Sequence, residues 1–246
     1  MRMRKKRNLE PRLERCESVT IMNPVELKGN WMSLKPDAKA IYVEIGCGKG
    51  RFSKQMALAN PDVLYIAIEK EKSAVVLAME KAVREEIKNL YFIAGDASDL
   101  CNFFAMGEVH AIFVNFCDPW TGNKHAKRRL THENFLKLYR QIAIPGGKFY
   151  FKTDNDALFR FSVWSLKEFG MEDMLVTADL HATDIPNIMT EYEERFSSQG
   201  IKIKRIEASF PLTPPEPLKL ACEEDHSEEE DDAEDFEPDA APDEQE

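Results

Sequence analysis

Cysteine is scarce in this sequence and is not arranged in pairs. The chain of 246 residues has five, which are an odd number, lie far apart and form no C-x-x-C motif for a metal or a redox couple: Cys16, Cys47, Cys101, Cys117 and Cys222. Small secreted domains usually carry an even, regularly spaced set. The cysteines therefore predict reduced thiols, no metal site and a cytoplasmic protein.

Long apolar runs are also missing. The first residues, MRMRKKR, have the charge of the first region of a signal peptide, but no apolar stretch follows them. A run of about 20 apolar residues, the length that spans a bilayer, does not occur in the sequence. We therefore expect no membrane partner.

Basic residues are absent after Lys219, whereas fifteen of the 44 Asp and Glu residues lie between Glu223 and Glu246. Without that segment the chain has 33 basic and 29 acidic residues, although its formal net charge is −11. The body of the protein is thus mildly basic. We expect three segments: a basic N-terminal arm (1–37), one folded domain (38–212), and a Pro-rich linker with a disordered acidic tail (213–246).

Apolar runs suited to buried strands alternate with segments of helical spacing, which is typical of a doubly wound α/β sheet. The predicted strands are residues 40–46, 63–69, 89–95, 109–116, 147–153, 171–180 and 201–208. The predicted helices are residues 51–59, 71–87, 133–142, 156–169 and a segment near 187–198. Pro145-Gly146-Gly147 is expected to end the third of these helices.

A glycine turn follows the first predicted strand, in the sequence EIGCGKG. Gly46, Gly48 and Gly50 allow a tight turn and a close approach of backbone to a ligand, although strand-to-helix turns also require glycine for steric reasons alone. Glu69 ends the second strand nineteen residues after Gly50, the spacing at which an acid reaches the ribose of a nucleoside. The alternative for Glu69 is a plain surface residue.

Carboxylates stand at the ends of four predicted strands: Glu44, Glu69, Asp96 and Asp118. In parallel sheets these ends share one edge, where ligands bind. The turn is G-x-G-x-G rather than the G-x-G-x-x-G of dinucleotide sites, and an acidic cleft disfavours a pyrophosphate. A cationic or zwitterionic nucleoside such as S-adenosylmethionine suits these groups better.

The sequence resembles the bacterial tRNA (guanine-N7)-methyltransferase (TrmB) family. The resemblance is carried by EIGCGKG (44–50), YIAIE (65–69), GDA (95–97), NFCDPW (115–120), KHAKRRL (124–130), PGG (145–147), FKTD (151–154) and TEYEERF (190–196). It implies a Rossmann-like class I methyltransferase fold with a seven-stranded sheet. It also implies methyl transfer from S-adenosylmethionine to N7 of the variable-loop guanine of tRNA, without a metal.

The resemblance also implies roles for individual residues. Asp118 is the catalytic residue and also binds the cofactor, together with Glu44, Gly46, Gly48, Gly50, Glu69, Asp96 and Ala97. The substrate guanosine is contacted by Asp154, Thr190, Glu191, Tyr192 and Glu193.

The chain departs from the family at Thr121-Gly122-Asn123, where the family has Pro-Lys-Lys. Gly122 therefore takes the place of a substrate-binding lysine, and Lys124 is a candidate replacement. The basic run that follows, Lys127, Arg128 and Arg129, is expected to hold the RNA backbone, although a solvated charged face is the alternative.

Two other classes of function remain open on the sequence. A nicotinamide-dependent oxidoreductase shares the predicted sheet but requires G-x-G-x-x-G. An RNA-binding protein that has kept the fold and lost activity is consistent with Gly122. The sequence also leaves open whether the protein is a monomer or a homodimer.

Overall fold

The computed structural model describes residues 8–217, and seven strands in this range form a single sheet. The strands are β1 (Ala40–Ile45), β2 (Val63–Ile68), β3 (Leu90–Ile93), β4 (Val109–Asn115), β5 (Ala143–Thr153), β6 (Glu172–Thr177) and β7 (Lys204–Ser209). Their order is β3-β2-β1-β4-β5-β7-β6. β1 to β5 are parallel, whereas β7 is antiparallel to both β5 and β6. The predicted doubly wound, seven-stranded sheet is confirmed.

The α-helices of the described range are α1 (Leu9–Glu14), α2 (Arg51–Ala59), α3 (Lys72–Arg84), α4 (Leu100–Phe103), α5 (Glu133–Ile142), α6 (Asp156–Glu168) and α7 (Glu191–Ser197). Side-chain caps satisfy free amides at several of their starts. Glu71 accepts from the amide of Ser73 at the start of α3, and Asn155 accepts from that of Leu158 at the start of α6. The sequence predicts α2 and α5 with the same bounds as the structure.

Two hydrophobic cores cover the two faces of the sheet. Alternation along β2 sends Leu64, Ile66 and Ile68 into one core, which α4, α5 and α6 complete. Tyr65 and Ala67 point into the other core, which α2 and α3 complete. Burial on both faces explains why this strand reads as a continuous apolar run.

The described part of the predicted basic arm packs against the domain. Trp31 is 0% exposed, its indole N–H donates to the carbonyl of Phe103 at 2.9 Å, and its ring stacks on Phe104. Thr20 forms a β-bridge with Phe92. Residues 8–37 are therefore part of the folded domain, while residues 1–7, the acidic tail and the end of the linker lie outside the described residues.

Pro145-Gly146-Gly147 lies inside β5, which corrects the prediction that this tripeptide ends a helix. α5 ends at Ile142 and β5 begins at Ala143, and the pairing with β4 then shifts from Val109↔Ala143 to Ala111↔Lys148. Gly146 has a φ of +72°, and a Cβ at Gly147 would lie 2.9 Å from the carbonyl oxygen of Ile144. The glycines therefore serve a β-bulge.

Two glycines of the turn after β1 allow backbone strain to be separated from close packing. Both have positive φ, but a Cβ at Gly50 would lie 2.4 Å from the Cβ of Ala78 on α3, whereas one at Gly48 meets nothing within 4 Å. We expect Gly48→Ala to cost about 1–2 kcal/mol of unfolding free energy through strain. Gly50→Ala should cost a further ~1–3 kcal/mol through overpacking. Urea unfolding of both variants measures the difference, and equal losses would contradict the close contact with α3.

Candidate functional site

A cleft of about 610 Å³ opens at the carboxyl ends of the parallel strands. Its walls come from the ends of β1 to β4 and from the segment that follows β4. The lining residues are Ile45, Gly46, Ile68, Glu69, Lys70, Gly95, Asp96, Ala97, Asn115, Phe116, Cys117, Asp118, Trp120, Lys127, Arg128, Leu130 and Phe135. The topology thus brings together three of the four predicted acids.

The glycine turn after β1 is fixed to the end of β2. The amide of Gly46 donates to the carbonyl of Ile68 at 2.8 Å, and the amide of Gly48 donates to Oε2 of Glu69 at 3.0 Å. The other oxygen of Glu69 accepts from the amide of Glu71 at 2.9 Å. Because both oxygens are held, the Glu69 carboxylate enters the cleft wall in one orientation.

Asp96 is held in a similar way at the end of β3. Its Oδ1 accepts from the amide and the hydroxyl of Ser98, each at 3.0 Å. The backbone hydrogen bond from Ser98 lowers the pKa of Asp96 below its usual value. Asp96 therefore stays ionised at neutral pH, and Ala97 lines the cleft beside it.

Glu44 lies inside the protein rather than in the cleft wall. It is 2% exposed and accepts from the Ser53 hydroxyl and, at 3.4 Å, from Nδ2 of Asn115. Burial raises its pKa to about 7 in spite of these donors. Asn115 does line the cleft, so the predicted cofactor acid is separated from the cleft by one side chain.

Asp118 is exposed and lies in the cleft wall between two strained aromatic residues. Phe116 has a φ of +53° and Trp120 a φ of +43°, a region that bulky side chains rarely adopt. Trp120 is half-buried in the cleft wall, and the guanidinium of Arg128 lies 5.0 Å from its ring centroid. Strain on both sides of one carboxylate indicates a constrained site.

The residues predicted to contact substrate converge near the same edge of the sheet. Asp154 follows β5 directly, and its Oδ2 accepts from the Tyr192 hydroxyl of α7 at 2.9 Å. Thr190 caps α7 by accepting from the amide of Glu193 at 2.9 Å. The Tyr192 ring lies 4.9 Å from that of Phe116. Phe116 therefore connects the cleft to the substrate motif.

Comparison with known proteins identifies the family of this chain. A family model described as "Putative methyltransferase" matches residues 38–206. The chain is also 45% identical over 215 residues to the tRNA (guanine-N(7)-)-methyltransferase of Bacillus cytotoxicus, and the alignment covers 87% of this chain and 99% of that protein. This chain belongs to the tRNA (guanine-N7)-methyltransferase family.

Solved structures support the fold of this family member. The 16S rRNA methyltransferase KamB matches with a TM-score of 0.57 and 15% identity, over 74% of this chain and 93% of that one. The 16S rRNA (adenine(1408)-N(1))-methyltransferase of Catenulisporales acidiphilia matches with a TM-score of 0.54 and 16% identity, over 79% and 96% of the two chains. The predicted Rossmann-like methyltransferase fold is confirmed.

Glu193 of the TEYE motif is buried and fully hydrogen-bonded within the protein. It is 0% exposed, and Lys152 on β5 donates to its Oε2 at 2.6 Å. Asn187 donates to its Oε1 at 2.5 Å, and His181 lies 3.2 Å from the same oxygen. The carboxylate therefore holds α7 and the preceding segment onto β5, and its contact with guanosine stays a prediction.

Lys152 and Asn187 are hydrogen-bond partners of Glu193 that were not predicted from the sequence. Lys152 is 3% exposed and also donates to the carbonyl of Ile188 at 2.9 Å. The lysine inside the apolar run FYFKT is the sequence signal that could have predicted this pair, since a buried lysine requires an acidic partner. Glu191 of the same motif also forms an ion pair, since Nζ of Lys81 lies 2.8 Å from its Oε1.

The basic cluster divides into exposed and packed members. Lys124 is exposed, and Lys127 and Arg128 line the cleft. Arg129 instead places its guanidinium 4.4 Å from the ring centroid of Phe161 and donates to the carbonyl of Trp120 at 3.2 Å. Burial lowers the pKa of Arg129. The side chain thus supports the loop, and its contact with RNA phosphate stays a prediction.

Gly122 has a φ of +118°, and a Cβ there would meet nothing within 4 Å. A lysine would be sterically free at this position but strained in its backbone.

Among the described residues, 8–217, the helices are too short or too polar to span a membrane. In the same range, no cluster of three or more His, Cys, Asp or Glu residues is arranged to hold a metal ion.

The buried Glu44 gives a pH dependence with a defined sign. Its folded pKa of about 7 lies above the ordinary value of 4.5, so its favourable contribution is complete below pH 4.5 and is lost as pH rises to about 7. We expect the unfolding free energy of the wild type, relative to Glu44→Gln, to fall by about 3 kcal/mol over this interval and to level off above it. Urea unfolding at several pH values measures it, and a flat difference would show that Glu44 is ionised when buried.

Proposed function

We propose that this protein transfers a methyl group from S-adenosylmethionine to N7 of the variable-loop guanine of tRNA. The observation that carries the proposal is Asp118, exposed in a cleft whose lining also holds the fixed carboxylates of Glu69 and Asp96. The name of the 45% identical relative gives methylation of guanine N7 in tRNA. Free thiols at Cys16, Cys47, Cys101 and Cys117 support a cytoplasmic location for the enzyme.

The cleft fits the proposed cofactor in size and chemistry. Its volume of about 610 Å³ lies within the usual range for small-molecule sites. Glu69 offers acceptors for ribose hydroxyls, and Asp96 with Ala97 offers an acceptor beside an apolar surface for adenine. When bound, S-adenosylmethionine supplies an electrophilic methyl group on a cationic sulfur. The carboxylates of Glu69, Asp96 and Asp118 in the lining suit that charge.

The protein's own task is positioning and electrostatic stabilisation. Guanine N7 carries a free lone pair, so no group has to remove a proton before methyl transfer, and orientation alone supplies roughly 7–11 kcal/mol. The proposed role of Asp118 is to stabilise the guanine ring as it becomes cationic. Asp154 accepts from N1 and N2 of guanine, whereas adenine has no donor at these positions. Lys124, Lys127 and Arg128 hold the RNA backbone beside the cleft.

A direct assay tests the proposed function. Purified protein is incubated with unmodified tRNA and methyl-labelled S-adenosylmethionine, and the position of the label is mapped by chain cleavage at 7-methylguanosine. We expect one labelled guanine in the variable loop. Binding of tRNA without any labelling would instead identify an RNA-binding protein that has lost activity, the alternative suggested by Gly122.

Asp118→Asn keeps the shape of the side chain and removes its charge. We expect the single-turnover rate at saturating cofactor and tRNA to fall by about 10²-fold or more, because the stabilising charge is lost. Affinity for tRNA should stay within about threefold, as Asp118 is not part of the basic cluster. Asp62→Asn is the matched control, because Asp62 is an exposed acid that precedes β2, at the amino ends of the parallel strands. A rate within about threefold of wild type would refute the role of Asp118.

Arg128 and Arg129 are adjacent but differ in exposure. Arg128→Ala should weaken tRNA binding and reduce the slope of log affinity against log salt by about 1, because one phosphate contact is lost. Arg129→Ala should leave that slope unchanged and lower stability instead, because its guanidinium packs on Phe161. Salt titrations of tRNA binding, with urea unfolding in parallel, measure both. The same change of slope in the two variants would contradict the different roles of Arg128 and Arg129.

A further inference from the structure

Two aromatic rings connect the cleft to Asp154. Phe116 lines the cleft near Asp118, and its ring centroid lies 4.9 Å from that of Tyr192. Tyr192 packs in turn on Phe196, with the centroids 4.2 Å apart. The Tyr192 ring is therefore fixed by contacts to two other rings, while 40% of the residue remains exposed.

The backbone of Phe116 is strained at the point where its ring reaches the cleft. Its φ of +53° brings Cβ close to backbone atoms, and glycine or asparagine would relieve this strain. The Phe116 amide donates to the carbonyl of Lys152 at 2.8 Å, which extends the pairing of β4 with β5 and holds the conformation. A phenylalanine kept in this conformation at a cleft indicates that its ring has a use there.

Tyr192 orients the carboxylate next to this surface. Its hydroxyl donates to Oδ2 of Asp154 at 2.9 Å. Desolvation and this hydrogen bond raise the pKa of Tyr192 to about 12, so the hydroxyl remains a donor at neutral pH. A carboxylate accepts several hydrogen bonds, so Asp154 retains acceptor capacity for the edge of a base.

We propose that Phe116 and Tyr192 form the stacking surface for the target guanine, with Asp154 reading the edge of the same base. The inference rests on the proposed function, and it adds Phe116 as a substrate-binding residue. A single base that leaves the RNA stack loses its stacking partners, and an aromatic surface replaces them. Stacking would hold any base, so the choice of guanine falls to Asp154.

The test measures what the target base itself contributes to binding. The methylated guanine is mapped first, and a tRNA with an abasic residue at that position is then prepared. Affinities for the two tRNAs are measured in the presence of S-adenosylhomocysteine, which prevents turnover. We expect the wild type to prefer the intact tRNA by about tenfold, and Phe116→Leu to reduce this preference to about twofold or less. Affinity for the cofactor should be unchanged.

Phe169→Leu is the matched control, because Phe169 is also a half-buried phenylalanine but lies at the opposite end of α6 from Asp154. It should keep the full preference. A preference that survives in Phe116→Leu, or one missing from the wild type, would overturn the stacking surface while leaving methylation in place. Failure to methylate any guanine would overturn the proposed function as well. If Phe116→Leu does not fold, Tyr192→Leu should show the same loss.

Tyr192→Phe separates the ring from the hydroxyl. It should keep the preference for the intact tRNA over the abasic one, because the ring remains. It should lose part of the preference for guanosine over inosine at the target position, because inosine lacks the N2 donor and Asp154 is no longer oriented. Unchanged discrimination against inosine would show that the Tyr192 hydroxyl has no part in reading the base.

Discussion

The parallel pairing of β1 with β2 on one side and β4 on the other is the constraint that places the chemistry of this protein. The chain covers one face of the sheet with α2 and α3 and then changes to the other face with α4. A crevice opens at the carboxyl ends where the direction reverses. The glycine turn, Glu69 and Asp118 lie in different parts of the sequence and meet there because of this order.

The substrate side of the site depends on a different interaction, the buried pair of Lys152 and Glu193. Two charges inside a protein carry a desolvation cost that their attraction offsets only with good geometry and further hydrogen bonds, which Asn187 and Ile188 supply. The pair fixes the start of α7 against β5. Tyr192 is thereby held beside Asp154, although their motifs are far apart in the chain.

The sheet could be predicted from the sequence, because buried parallel strands are continuous apolar runs and the glycine turn marks the first crossover. The positions of Glu69, Asp96 and Asp118 at the cleft could also be predicted, because the ends of the strands can be located from those runs. It could not separate Arg128 from Arg129, since neighbouring residues of equal charge differ only in the surface that each side chain meets. Nor could it show that Glu193 is buried, because its partner Lys152 lies 41 positions away. The β-bulge at Gly146 depends on pairing, which a helix-stop pattern does not reveal.

The last described residues leave the domain from the edge of the sheet opposite the cleft. The amide of Gly146, at the start of β5, donates to the carbonyl of Pro211 at 3.4 Å, and Gln141 donates to the carbonyl of Glu216. The six paired residues of β5 that follow, Lys148–Thr153, put roughly 20 Å between this exit and Asp154. For protein engineering, this separation means that the described domain ends on the side of the sheet away from the cleft.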